Sequence, residues 1–179
     1  MGNDNPCQRR KRNGTKAINK KTLIVILGLL LAVVTFQPAA QGCTGIELQN
    51  ADGTIVHGRT VEFGLYIKTV VLVIPRGHAF TGSAPNGSKG KAYVAKYAVV
   101  GCDMDGNELV ADGVNEAGLT VGAFYFPDYA QYAEITGANQ SKAVSSQEFP
   151  NYLLTQFATV DEVRQGLPDV VIGNSVYEP

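Results

Sequence analysis

The sequence has little of the chemistry that builds metal centres or disulfide frameworks. Its 179 residues contain three cysteines, two histidines and no tryptophan. Zinc sites and small disulfide scaffolds need cysteine pairs or cysteine–histidine clusters at short spacing, and this sequence has neither. We therefore expect no metal, no cofactor and no disulfide framework, although an exported protein can still form one bridge between Cys43 and Cys102.

The sequence also lacks a hydrophobic run long enough for a comfortable membrane span. Its apolar run covers residues 22–36, whereas a spanning helix needs roughly 20 residues. Seven basic residues precede the run, and the small residues Ala40-Gln41-Gly42 follow it. This is the pattern of a secretory signal peptide. We predict a signal peptide at residues 1–42 and a single mature domain at residues 43–179, located in the periplasm or secreted.

Two other interpretations of the apolar run stay open. The run can persist as an uncleaved anchor, or Cys43 can carry a lipid, because a cysteine directly follows small residues. Ala40 stands where lipoprotein signals usually have leucine, which disfavours the lipid. The predicted contact with a membrane is therefore limited to the signal or a lipid anchor.

Basic residues are scarce in the predicted mature domain. Residues 1–42 hold seven of the 15 lysines and arginines and one of the 16 acidic residues, which leaves eight basic and 15 acidic side chains. The resulting net charge of about −7 repels phosphate backbones. Nucleic acid is therefore not expected as a partner, and the basic block at residues 9–21 is assigned to the signal.

The sequence pattern of the mature domain predicts strands followed by helices. We predict seven short strands, among them residues 44–49, 54–63, 69–75, 93–102, 108–114 and 119–126. These strands imply a large antiparallel sheet or two stacked sheets. The β-branched run at 69–75 predicts a strand buried on both faces, and the Gly, Ser, Pro and Asn content of residues 81–91 predicts a loop. Cys102 is interpreted as a buried strand residue.

Two Ser/Thr-x-x-Glu patterns predict the helices. They begin at Ser145 and Thr159 and open helices at 147–157 and 160–166. Phe149, Leu153 and Phe157 recur at helical spacing and are expected to pack in the core. A strand is predicted to start at 170–176. This order indicates an α+β fold that resembles half of a larger layered domain, so we expect a truncated chain.

Cys43 is the strongest candidate for catalysis. Cleavage after Gly42 gives it a free α-amino group, and this amine can take the thiol proton, so that one residue carries both nucleophile and base. With a turn at residues 50–53, Arg59 falls close to opposite the start of the first strand. A nearby cation favours the thiolate, and Glu62 can orient the amine or Arg59. An ordinary cross-strand Arg–Glu pair is an equally valid interpretation.

Several motifs in order resemble the choloylglycine hydrolase family, which comprises conjugated bile salt hydrolases and penicillin V acylases. The resemblance covers residues 43 to about 174 and is carried by Cys43-Thr44-Gly45, Gly58-Arg59-Thr60-Val61-Glu62-Phe63, Val73-Ile74-Pro75-Arg76-Gly77, Asp112-Gly113-Val114-Asn115-Glu116-Ala117-Gly118-Leu119 and Phe124-Tyr125-Phe126-Pro127. It implies a four-layer αββα N-terminal nucleophile hydrolase fold, of which the chain would hold the N-terminal half. It also implies hydrolysis of linear amides.

The same resemblance assigns roles to four residues. Cys43 matches the nucleophile and Arg59 matches the active-site arginine. Glu62 stands where the best-known members have aspartate. Tyr125 matches a position whose backbone N–H helps to form the oxyanion hole. The family's remaining catalytic asparagine and arginine belong to the second half of its domain, so an inactive fragment is one alternative.

The sequence therefore predicts an exported amidase acting on a small molecule. The candidate substrates are conjugated bile salts, penicillin V and N-acyl homoserine lactones, and an apolar or aromatic acyl group is suggested by Phe63, Leu65, Phe124, Tyr125 and Phe126. A homo-oligomer is compatible with the sequence. The competing hypothesis from another class is a non-catalytic binding module or lipoprotein of the cell envelope.

Overall fold

The computed structural model describes residues 19–35, 42–62, 66–104, 106–124 and 129–174, and residues 30–35 by their backbone alone. The chain falls into two compact units, residues 1–40 and 41–179. In the first unit, Lys20–Thr35 forms helix α1, which overlaps the predicted apolar run. Among the described residues, no helix has both the length and the apolar character needed to cross a membrane.

The second unit begins with the predicted hairpin. Strand β1 (Gly45–Gln49) pairs antiparallel with β2 (Ile55–Arg59), and Gly45 lies opposite Arg59. The turn closes because Gly53 adopts a φ of 85°, which costs glycine little, and because the Asn50 N–H donates to the Thr54 carbonyl at 2.8 Å. The prediction that Arg59 faces the start of the first strand is confirmed.

A four-stranded antiparallel sheet forms the centre of this unit. Its strands are β3 (Val71–Ile74), β6 (Val99–Asp103), β7 (Val110–Asn115) and β8 (Thr120–Gly122), in the order β3-β6-β7-β8. One face packs into the core through Ile74, Val99 and Val110, which contact Leu154 of the following helix.

The opposite face of this sheet carries valines that the described residues leave exposed. Val71 and Val73 are 75% and 62% exposed, and Val100 and Val114 on the neighbouring strands are also exposed. The prediction that residues 69–75 are buried on both faces is therefore wrong, since β-branched composition reports strand propensity and not which faces are covered. Cys102 lies on this open face, so its predicted burial is wrong as well.

A second hairpin replaces the predicted loop at 81–91. Strand β4 (Ala79–Ser83) pairs antiparallel with β5 (Lys89–Val94) around a turn at 84–88. Glycine is needed here for close packing, because a Cβ at Gly82 or Gly90 would lie 2.6 or 2.1 Å from the Ala143 carbonyl oxygen. The strand predicted at 93–102 is also divided, since a bend at 96–97 separates β5 from β6.

The remaining elements are two helices and a parallel pair of strands. Helix α2 (Phe149–Gln156) and helix α3 (Val160–Gly166) lie close to the predicted ranges. Strand β9 (Ala143–Ser145) was not predicted; it pairs in parallel with β10 (Val171–Gly173), which lies within the strand predicted at 170–176. The described part of the chain thus has ten strands, more than were predicted, in an α+β arrangement.

Both predicted capping patterns form hydrogen bonds, but only the one at Thr159 caps a helix: the Ser145 pattern closes the turn before α2, whose N-cap is Glu148 and has no side-chain cap. The Glu148 N–H donates to Ser145 Oγ at 3.3 Å and the Ser145 N–H donates to Glu148 Oε2 at 3.0 Å. At α3, the Glu162 N–H donates to Thr159 Oγ1 at 3.2 Å.

The predicted aromatic stripe of α2 lies at the edge of the core. Phe149, Leu153 and Phe157 are half-buried, and the two phenylalanines pack against a cluster that contains Tyr93, Val144 and Tyr152. Leu154, which is outside the stripe, is the fully buried leucine of this helix. The face of helix α2 that is buried in the core is therefore rotated by one residue from the predicted face.

Candidate active site

Cys43 precedes the first hairpin by two residues. It is half-buried and carries a free thiol. The Thr60 N–H donates to the Thr44 carbonyl at 3.0 Å, which extends the pairing of the two strands to the residue after Cys43. Because side chains alternate along a strand, Gly45 shares the hairpin face that carries His57 and Arg59, and Cys43 precedes Gly45 by two residues.

Arg59 is nearly buried and its guanidinium group is held on several sides. Its side chain is 9% exposed. Nη1 donates to Asp112 Oδ2 at 3.1 Å and also to the Ala123 carbonyl, and Nε donates to the Thr60 carbonyl at 3.2 Å. The guanidinium carbon lies 4.6 Å from the centre of the Phe124 ring, within the range of a cation–π contact.

Phe124 joins the hairpin to the central sheet. A Cβ at Gly45 would lie 2.7 Å from the tip of the Phe124 ring, and a Cβ at Gly122 would lie 3.2 Å from the ring edge. Gly45 therefore has to be glycine for the ring to fit against the first strand, and a side chain at position 122 would crowd the ring edge. The ring in turn gives the Arg59 guanidinium a flat surface on which to rest.

Asp112 is a site residue to which sequence reasoning gave no role. It lies on β7, 53 residues from Arg59, and its side chain is 20% exposed. Burial raises the pKa of Asp112 above its ordinary value, and the positive charges of Arg59 and His57 offset part of that rise. A signal was available, because Asp112 is the charged residue of β7 and lies within a motif already singled out.

Glu62 forms a different contact from the ones predicted for it. It accepts a hydrogen bond from Thr60 Oγ1 at 3.2 Å, and that hydroxyl accepts the Thr44 N–H at 3.1 Å. The carboxylate that pairs with Arg59 is Asp112. Glu62 is thus linked through Thr60 to the backbone next to Cys43, and its action on the Cys43 amine stays a prediction.

Part of the predicted site lies outside the described residues. This applies to Tyr125, the predicted oxyanion donor, and to Phe63, Leu65 and Phe126 of the predicted acyl pocket.

Cys102 and Cys43 are both free thiols, so the bridge that an exported protein could form is not present. Within the described ranges, no three His, Cys, Asp or Glu side chains gather as metal ligands would.

The comparison with known families gives a match that begins at Cys43. The model of the linear amide C–N hydrolases, choloylglycine hydrolase family, matches residues 43–178. The bile salt hydrolase/transferase of Clostridium perfringens is 31% identical over 134 residues, and that of Bifidobacterium longum is 28% identical over 134 residues. These alignments cover 73% and 75% of this chain but 39% and 41% of those proteins.

Solved structures agree with the sequence match. The crystal structure of a mutant conjugated bile acid hydrolase from Clostridium perfringens matches with a TM-score of 0.59 at 27% identity, covering 74% of this chain and 39% of that one. The predicted N-terminal nucleophile hydrolase fold is thereby confirmed, and the chain spans about two fifths of the length of the relatives it matches. The chain belongs to the choloylglycine hydrolase family of linear amide C–N hydrolases.

Proposed function

We propose that this chain carries the nucleophile of an exported amidase, in which Cys43 becomes the N-terminal residue and attacks a linear amide. The observation that supports this most is the position of Cys43: the family match starts at this residue, and two residues later the strand pairs with Arg59. A thiol, a released α-amino group and a fixed cation are thus brought to one end of one hairpin.

The proposed reaction has two stages. In the first, Cys43 Sγ attacks the amide carbonyl carbon while the α-amino group takes the thiol proton, directly or through a water. The C–N bond then breaks, the leaving amine receives that proton, and a thioester remains on Cys43. In the second, the α-amino group deprotonates a water that attacks the thioester, which releases the carboxylic acid and restores the thiol.

Arg59 and the oxyanion donors supply positive charge to this reaction. Arginine stays protonated and presents a planar set of donors, so it can stabilise a thiolate or a substrate carboxylate. The Tyr125 backbone N–H is proposed as one oxyanion donor, since aimed backbone donors can lower an acyl-transfer barrier by several kcal/mol. Glu62 is proposed to place a negative charge near the Cys43 amine through its link to Thr60.

The proposed substrates are amides of apolar or aromatic acids. The matched relatives are named as bile salt and conjugated bile acid hydrolases, and penicillin V and N-acyl homoserine lactones are the other candidates. Phe124 is exposed beside Gly45 at the cysteine end of the hairpin. Its ring offers an apolar surface where the acyl group of such an amide would approach.

The first experiment measures the intact mass of the exported protein and identifies its terminal residue by fragmentation. We expect an unmodified Cys43 at the N-terminus, because the α-amino group is required as the base. An uncleaved or lipidated protein contradicts the proposed processing and favours the envelope-module hypothesis.

The second experiment replaces the nucleophile. Cys43→Ala is expected to abolish both the hydrolysis of conjugated bile salts or penicillin V and the covalent acyl-enzyme seen by mass spectrometry. Cys102→Ala is the matched control, since it removes the other thiol of residues 43–179, and it is expected to keep turnover. Hydrolysis that survives Cys43→Ala would rule out the proposed mechanism.

A further inference from the structure

The hydrogen bonds of Arg59 leave one end of its guanidinium unused. Arginine has five N–H donors. Nε donates to Thr60, and Nη1 donates to both Asp112 and Ala123. Within the described part of the chain, the two N–H groups of Nη2 make no hydrogen bond. A nearly buried cation is therefore held through Nε and Nη1, while the Nη2 donors stay available among the described residues.

Of these contacts, the one with Asp112 differs because it balances charge. The carbonyls of Thr60 and Ala123 are neutral acceptors, and the Phe124 ring contributes a weak attraction. Asp112 is the carboxylate within ion-pair distance of Arg59 among the described residues. Removing one partner of a buried ion pair leaves the other charge uncompensated, so Arg59 would no longer be held in this position without Asp112.

Asp112 itself is mounted on a rigid element. It lies inside β7, where its Cα is opposite Cys102 on one side and Gly122 on the other. Gly122 makes room for the carboxylate, since a Cβ there would lie 2.8 Å from Asp112 Oδ1 and 3.4 Å from His57 Nε2. Oδ1 is buried and has no hydrogen-bond partner in the described structure, so Asp112 makes its hydrogen bond through the oxygen that faces Arg59.

We propose that Asp112 is the positioning residue of the site: by binding Nη1 of Arg59, it directs the free Nη2 donors toward the negative charge that forms at the Cys43 end of the hairpin. This inference rests on the proposed function, because it takes Arg59 as the cation of an amidase. Asp112 touches no reacting atom and acts through Arg59. A displacement of about 1 Å in a catalytic group can cost on the order of 100-fold in rate.

The first test needs no catalytic activity. The sample is the full chain labelled with ¹⁵N. The Nε–H proton of Arg59 is expected to exchange slowly with water, because this side chain is nearly buried and hydrogen-bonded. The Nε–H protons of Arg76 and Arg164 are expected to exchange fast, because those side chains are exposed. Asp112→Asn keeps the volume but removes the charge, and it is expected to abolish the slow exchange at Arg59. Unchanged protection in the folded Asp112→Asn protein overturns the proposal.

The second test measures amide hydrolysis. Asp112→Asn is expected to lower kcat by about 100-fold with a small change in KM. Asp161→Asn is the matched control, because it also breaks an Asp–Arg pair, with Arg164, but on an exposed helix, and it is expected to leave turnover unchanged. If Asp112→Asn lowers kcat by less than about twofold, the effect is too small for a positioning residue and the proposal is overturned.

A further variant guards against loss of the fold. Asp112→Glu keeps the charge but moves the carboxylate by one methylene, so circular dichroism is expected to be unchanged while the Arg59 signal shifts and kcat falls. A folded Asp112→Glu protein with the wild-type Arg59 signal overturns the positioning role. Absence of turnover in the wild type contradicts the proposed function instead, and the exchange measurement then decides the role of Asp112 by itself.

Discussion

At the scale of single residues, the site depends on a charge pair that joins distant parts of the chain. Arg59 lies on the first hairpin and Asp112 on the central sheet, and both are largely removed from water. Burial penalises a carboxylate, and the neighbouring cations recover part of that penalty. A pair that costs free energy to bury is weak support for stability, which agrees with the positioning role proposed for Asp112.

The raised pKa of Asp112 predicts how the stability of the protein depends on pH. The folded state binds a proton at Asp112 more tightly than the unfolded chain does, so this group favours folding most at low pH and loses that contribution as pH rises through the folded-state pKa. We expect the free energy of unfolding of the wild type to fall relative to Asp112→Asn as pH is raised from about 3 to 7. Urea unfolding at several pH values measures the difference.

Glu116 provides the control of opposite sign. Its pKa is lowered by the hydrogen bond from Arg76 at 2.5 Å and by the Ala98 N–H. Its contribution is present above the unfolded-state pKa and is lost as pH falls through the folded-state pKa. The wild type should therefore lose stability relative to Glu116→Gln on acidification, and the same slope for both variants would contradict the assignment at Asp112.

At the scale of elements, one asparagine connects the sheet to the helix that covers it. Asn115, at the end of β7, donates to the carbonyls of Leu154 and Phe157 at 2.8 and 2.7 Å. Its Oδ1 accepts the N–H groups of Ala117 and Leu119 in the turn to β8, both at 3.0 Å. The side chain thus satisfies backbone groups at the end of α2 and in the turn at the same time.

Asn115→Ala is expected to destabilise the fold strongly. The substitution leaves two carbonyls and two N–H groups without partners around a buried position, and we expect a loss of about 2–4 kcal/mol in the free energy of unfolding. Urea unfolding gives the value. Asn107→Ala in the exposed turn between β6 and β7 is the matched control and is expected to cost less than about 0.5 kcal/mol. Equal effects of the two variants would contradict this account of Asn115.

At the scale of the whole molecule, one face of the central sheet packs into the core, and the other face is covered in part within the described structure, where Arg59 contacts Asp112. The helix side is buried, while the other side presents Val71, Val73, Val100 and Val114 to solvent. A contiguous apolar surface of this kind is uncommon on soluble monomers. Arg59 and Asp112 lie on the same side, because Asp112 and Val114 share one face of β7.

This exposed valine face predicts a property that can be measured in the full chain. Val73 and Val100 are cross-strand partners, and their joint replacement by threonine keeps β-branched side chains while making the face more polar. We expect weaker binding of a hydrophobic dye and less light scattering, with an unchanged circular dichroism spectrum. Val99→Thr, on the buried face, should instead increase dye binding. Dye binding that is insensitive to Val73→Thr/Val100→Thr would contradict an exposed face.

Local sequence by itself determined several parts of this protein. The turn at 50–53, the start of α3 at Thr159 and the position of Arg59 opposite the first strand follow from residues close together in the chain, whose hydrogen bonds and φ preferences act locally. The family resemblance and the candidate Cys43 were likewise available from ordered motifs. These features need no knowledge of distant contacts.

Tertiary structure decided the rest, because the deciding contacts join residues far apart in sequence. Asp112 replaces Glu62 as the partner of Arg59 across 53 positions. Gly82 and Gly90 lie in strands instead of a loop, and glycine at these positions leaves room for the Ala143 carbonyl oxygen. Val71 and Cys102 are exposed because helix α2 covers the opposite face of their sheet, and composition alone carries no information on which face is covered.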